Sequence, residues 1–170
     1  MDMKKQVAVI FGGKSSEHEV SCHSVLNVIK GFSPEKYEIH LIGITKEGHW
    51  IYVPEAAAIE DGSWYDGRKT AIISPDAVNS GIYLCDDEGH YERRKIDVIF
   101  PVLHGKFGED GTIQGVFEMS GIPYVGCGVL SSSVSMDKIS TKIFVEKLGI
   151  RQAKFVADIA PDLSELDHTV

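Results

Sequence analysis

The sequence is short of cysteine: three in 170 residues, Cys22, Cys85 and Cys127, an odd number with no CxxC pair. That pattern offers neither a disulfide framework nor a zinc-ligand set, and it fits a reducing compartment. Long apolar runs are missing too. The first, Val7 to Phe11, is far too short for a signal-peptide core or a bilayer span. Positive charge is scarce: 17 Lys and Arg against 25 Asp and Glu give a formal net charge of -8. Such a balance argues against nucleic acid or an anionic membrane as main partner, since both reward basic surfaces. A small anionic ligand stays open, because a local loop can oppose the net charge. No internal repeat is present. The expectation is a cytoplasmic protein of ordinary globular composition, long enough for one well-buried domain and the start of another.

What is present reads as α/β. Gln6 to Phe11 (QVAVIF) is a continuous apolar run, as in a buried parallel strand. Gly12-Gly13 ends it, and Ser16-x-x-Glu19 fits a capping box opening a helix whose apolar face is Val25, Val28 and Ile29. Tyr37 to Thr45 is the second strand, completing a βαβ start. Residues 46–95 change character: short β segments at 48–53, 70–73 and 81–85, divided by Asp-Gly, Ser-Pro and Glu-Gly turns, predict an antiparallel insertion, with a helical turn at 56–58. The α/β pattern then resumes. Val98 to Leu103 is a strand, Ile113, Val116 and Phe117 mark a helix face, and Tyr124-Val125 is a short strand. After serine-rich 131–135, Asp137-Lys138 opens a last helix expected to turn Ile139, Ile143, Phe144 and Leu148 inward. Lys154 to Val156 is the candidate start of another strand, and 160–170 is polar and acidic. The fold class is an open, Rossmann-like parallel sheet with an antiparallel β insertion.

Chemistry collects at two strand ends. His104-Gly105-Lys106-Phe107-Gly108-Glu109-Asp110-Gly111 crowds four kinds of charged or titratable side chain among three glycines, between a strand and a helix. Open α/β sheets present their chemistry there. His104 either faces the crevice or is tied to loop backbone. Glu109 either orients it or serves another polar group, and Asp110 or Thr112 is a candidate N-cap. At the other strand end, Gly12-Gly13 allows close backbone approach and Glu17 stands at a helix start, a combination suited to a zwitterion such as an amino acid. The equal alternative is that Glu17 and Glu19 merely favour the helix dipole. Ala8 to Ser15 satisfies a relaxed Walker A pattern, but its first four positions are strand, which argues against a P-loop. His18 and His23, five apart, miss the i, i+4 spacing of helical metal ligands and read as solvent-facing or packed. Gly126-x-Gly128-x-x-Ser131 is a degraded dinucleotide fingerprint without a ribose-binding acid about twenty positions on, which weakens the alternative of a nucleotide-binding oxidoreductase domain. Lys138 is either a surface lysine or a phosphate contact.

Phe11 to Ser21 (FGGKSSEHEVS) and His104 to Gly115 (HGKFGEDGTIQG) together resemble the D-alanine–D-alanine ligase family. Ordered supporting matches follow at Gly121 to Gly126 (GIPYVG) and Met136-Asp137-Lys138. The resemblance implies that family's N-terminal, Rossmann-like domain preceding an ATP-grasp fold. It would occupy residues 1–150, with 46–95 inserted as in the longer members, and 151–170 would link to the central domain. Those longer members include the D-alanine–D-serine and D-alanine–D-lactate ligases of vancomycin resistance. The implied reaction builds a peptidoglycan precursor: ATP phosphorylates the first D-alanine, and the amine of the second attacks the acyl phosphate. Glu17 would hold the first D-alanine's ammonium group and His104 would lie beside its carboxylate. Val20 and Glu109 would complete the substrate side, and Lys138 would contact ATP phosphates. The Mg2+ ligands, the adenine pocket and the oxyanion arginine are not found here, so these residues alone are expected to be inactive. A homodimer through this domain is also implied.

Overall fold

A computed structural model describes residues 3–156. Thirteen elements follow one another among them. The α/β start is β1 (Lys5–Gly12), α1 (His18–Lys30) and β2 (Tyr37–Ile44). Next come β3 (Trp50–Val53), α2 (Ala57–Glu60), a 3-10 turn (Ser63–Asp66), β4 (Thr70–Ile73), β5 (Ile82–Cys85) and β6 (Tyr91–Arg94). The chain closes with β7 (Val98–Leu103), α3 (Thr112–Ser120), α4 (Val129–Met136) and α5 (Lys138–Lys147).

One seven-stranded sheet carries everything, in the order β6-β5-β4-β3-β2-β1-β7. β1 pairs in parallel with β2 and with β7, while the four successive pairings from β2 to β6 are antiparallel. The 46–95 segment is therefore an extension of the same sheet. Its β6 was not legible as a strand: Tyr-Glu-Arg-Arg sits on an edge and is mostly exposed, so it lacks apolar alternation.

β1 explains why the sheet needs cover on both faces. Val7 to Phe11 are each no more than 1% exposed. Val7, Val9 and Phe11 pack toward α1 with Val25, whereas Ala8 and Ile10 pack toward α3 with Ile113 and Phe117. Period-two alternation on a strand buried on both sides yields two cores. β3 and β4 pair at Ile51 and Thr70, and Tyr52 N donates to Lys69 O at 2.8 Å beside them. By the same alternation Ala71 and Ile73, with their partners Leu84 and Ile82, face the α3-side core. Trp64, on the 3-10 turn, seats over Gly43, where a Cβ would strike its ring, and meets Phe11 edge-on at 5.0 Å. That contact brings the 3-10 turn to the start of α1.

Several expectations need correction. The capping box does not form: α1 begins at His18, its N-cap Glu17 makes no side-chain cap, and Glu19 pairs instead with Lys46 at 2.6 Å. The serine-rich stretch, to which no element was assigned, lies in helix α4. Tyr124-Val125 is only a parallel bridge beside Ile99. On α5, Ile139, Ile143, Phe144 and Leu148 are exposed rather than inward, because no described element lies over that face. Residues 151–156 form no strand, and the acidic 160–170 stretch lies outside the described residues.

Candidate functional site

β1 is flanked by β2 on one side and β7 on the other, so the chain reverses its winding between β1 and β7. Loops leaving neighbouring parallel strands to opposite faces leave a crevice at their carboxyl ends. Gly12 is in register with Leu103, which sets the two candidate loops side by side.

The first loop is built on two left-handed glycines, Gly12 (φ 85°) and Gly13 (φ 99°). A side chain at Gly12 would collide with the Ile44 carbonyl, so the close approach requires glycine. Ser21 Oγ accepts from Gly12 N at 2.7 Å and donates to the Val102 carbonyl, and Gly13 N donates to Ile44 O at 2.8 Å. Both glycine N–H groups are thus committed within the protein, the physical reason the Walker-like text does not make a phosphate cradle.

Ser15 joins the loops. Its hydroxyl donates to the His104 carbonyl at 2.6 Å and accepts from Glu17 N at 3.1 Å. The Glu17 carboxylate then lies directly on Gly105: a Cβ built there would be 2.6 Å from Glu17 Oε2. Glu17 and His104, 87 residues apart in sequence on different loops, are thereby brought together. The Nε2 atom of His104 is buried and has no partner. A buried, unsatisfied imidazole nitrogen is costly unless something fills it, which marks a place for a ligand. A cavity of about 230 Å³ opens beside it, with Gly13, Lys14, Leu103, Phe107 and Val116 among its walls. Glu17 is not one of those walls. Val20, one helical turn beyond Glu17 on the same side of α1, is 53% exposed.

The second loop holds its own shape. Phe107 takes a left-handed φ of 66°, uncommon for a bulky residue. Asp110 accounts for it by accepting from Phe107 N at 2.8 Å and from Thr112 N at 3.0 Å. Burial pushes the Asp110 carboxyl up, but those N–H donors outweigh it and hold the group below the usual carboxylate range. Asp110 rather than Thr112 serves the start of α3, although the N-cap position itself is Gly111. Lys14 and Lys106 place their ammonium groups 5.8 and 5.1 Å from the Phe107 ring centre. Glu109 does not orient the His104 ring. It accepts from Gly105 N at 2.6 Å and braces the turn on which Glu17 rests.

Lys138 stands apart, exposed at the first position of α5, behind the N-cap that Asp137 provides to Ser140 N at 2.6 Å. The link from its side of the molecule to the loops runs through α4, where Ser133 Oγ donates to Asp110 O at 2.8 Å. Sequence reading also passed over Ser15, Ser21 and Tyr65. Small hydroxyls near a glycine turn carry no pattern of their own, and Tyr65 meets His18 from forty-seven positions away, a contact no local spacing announces.

A family model described as the D-ala D-ala ligase N-terminus matches residues 6–127. The D-alanine–D-alanine ligase of Acetivibrio thermocellus is 46% identical over 169 residues, covering 92% of this chain and 45% of that protein. The vancomycin B-type resistance protein VanB of Enterococcus faecalis is 47% identical over 152 residues, covering 89% and 43%. Among solved structures, the VanG D-Ala:D-Ser ligase of Enterococcus faecalis matches with a TM-score of 0.82 at 40% identity, over 89% of this chain and 44% of that one. The chain spans less than half the length of these relatives.

Proposed function

The chain belongs to the D-alanine–D-alanine ligase family, and from that premise we propose that it forms the first-substrate wall of an ATP-dependent ligase in peptidoglycan synthesis. The observation that carries this is the Glu17 carboxylate set on Gly105 beside His104, whose Nε2 is buried and unpaired. A carboxylate next to an imidazole donor matches the two ends of an amino acid. Glu17 holds the ammonium group. His104 donates from Nε2 to the carboxylate and to the charge that grows there as the acyl phosphate forms. Val20 lies along the substrate's apolar side, and Glu109 keeps Gly105 in place beneath Glu17.

Joining a carboxylate to an amine in water requires an activated acyl group, which ATP supplies by phosphoryl transfer. On this reading Lys138 meets the phosphates, with the rest of the nucleotide site in other parts of the full-length enzyme. Among the described residues no three His, Cys, Asp or Glu side chains gather as a metal site, and on this reading the Mg2+ ligands also belong to other parts of the full-length enzyme. The favoured second substrate is D-alanine. The resistance-type relatives support D-serine or D-lactate as the alternative. We place the protein in the cytoplasm, as a homodimer contacting through this domain; no helix among the described residues is long and apolar enough to cross a membrane.

The test is phosphate release from ATP by the full-length protein. Release should require D-alanine, with D-alanine, D-serine and D-lactate compared as second substrate. Absence of D-alanine-dependent release would defeat the reading, and the preferred partner decides between the alternatives. The 170 residues alone should make no dipeptide.

A further inference from the structure

His18 is 0% exposed, although it directly follows Glu17 on the rim of the crevice. An imidazole removed from water needs partners for both nitrogens. Nδ1 is 2.7 Å from the Gly13 carbonyl oxygen. A carbonyl only accepts, so Nδ1 carries the proton. In the neutral ring Nε2 is then an acceptor, and the Tyr65 hydroxyl, 2.7 Å away, donates to it. The ring is wedged by stacking, 6.2 Å from Trp64 and 6.1 Å from Tyr65 between centres. Nothing ionised competes for Nε2. Burial pushes the Tyr65 phenol up to about 12 and the nearby Cys22 thiol up to about 11, so both stay neutral.

We propose that His18 is a positioning residue for the Glu17 carboxylate, acting through the Gly13 carbonyl and held in its working tautomer by Tyr65. The two peptide groups flanking Gly13 are both fixed, the first by Ile44 O on the Gly13 nitrogen and the second by His18 on the Gly13 oxygen. Glu17 N is anchored in turn by Ser15. The segment that aims Glu17 at Gly105 is therefore pinned at its start and at its end. Tyr65 extends the pin into the 46–95 extension, whose Gly48 and Trp50 also line the cavity beside His104. The inference rests on the reading of Glu17 as the ammonium-binding group.

Two measurements on the full-length protein test it. Long-range ¹H–¹⁵N spectra of labelled histidine should show His18 as the Nδ1–H tautomer; an Nε2–H ring overturns the proposal. Kinetics then compare Tyr65→Phe, His18→Asn and His18→Gln. Asparagine can present an N–H near the Nδ1 position, whereas glutamine reaches only toward Nε2. Tyr65→Phe and His18→Asn should each raise KM for the first D-amino acid by about 3- to 10-fold at unchanged kcat, and His18→Gln by clearly more. Equal effects of Asn and Gln, or lower kcat at unchanged KM in all three, would mean a merely structural role. If the wild type shows no D-alanine-dependent turnover, the ligase reading fails and the tautomer alone decides this inference.

Discussion

Gly105→Ala is the perturbation that reports on the crevice with least ambiguity, because the structure separates its two effects. Gly105 has φ 68°, in the left-handed region where a Cβ costs about 1–2 kcal/mol. Its new methyl would also stand 2.6 Å from Glu17 Oε2 and 3.3 Å from Ser15 Cβ. Ordinary contact begins near 3.4 Å, so the carboxylate must retreat by about 0.8 Å. A displacement of that order breaks a charge-assisted hydrogen bond to the ammonium group, worth about 1.5–3 kcal/mol or about 10- to 150-fold in binding. Gly89→Ala isolates the backbone part: its φ is 83° and nothing lies within 4 Å of its added Cβ. Chemical denaturation of the full-length protein should show both variants losing about 1–2 kcal/mol. Only Gly105→Ala should raise KM for the first D-amino acid, by about 10- to 100-fold. If the two variants behaved alike in KM as well as in stability, Glu17 would not be the group resting on Gly105, and the reasoning would fail.

Two further outcomes test the fold. Phe117 is fully buried among Ile99, Ile113 and Tyr124, so Phe117→Ala should cost about 3–5 kcal/mol in urea unfolding; a loss below 1 kcal/mol would deny the α3-side core. His40 is buried beside Gln6, and burial first, then the Arg94 charge, pulls its pKa below the ordinary 6.5. The unfolded chain therefore binds that proton more readily. Stability should fall as pH drops below about 6.5, and His40→Gln should flatten that slope; an unchanged slope would remove His40 as its source.

Much of the α/β frame was readable because it rests on local signals. The continuous run from Gln6 to Phe11 and the spacing of Ile113, Val116 and Phe117 follow from burial on both faces of a sheet. Glu17 and His104 were readable as strand-end residues, though nothing local showed that Ser15 ties their loops together. The failures share a cause in tertiary context. Ser16 and Glu19 have the composition of a capping box, yet Glu19 finds Lys46 and the helix starts two residues later than Ser16. Tyr-Glu-Arg-Arg becomes a strand because β5 offers a free edge, which no side-chain pattern announces. The apolar spacing on α5 is real, but spacing does not reveal what covers it. His18 shows the same limit: its place in the sequence suggested either solvent or packing, and the choice was made by Trp64 and Tyr65, more than forty positions away.

The central claim is that Glu17 receives the ammonium group of the first D-amino acid across the crevice from His104. Steady-state kinetics of Glu17→Gln in the full-length protein test it most directly. Losing a charge-assisted hydrogen bond worth about 1.5–3 kcal/mol should raise KM for the first D-alanine by about 10- to 150-fold while the second-site KM holds. An unchanged first-site KM in a folded Glu17→Gln protein would contradict the account.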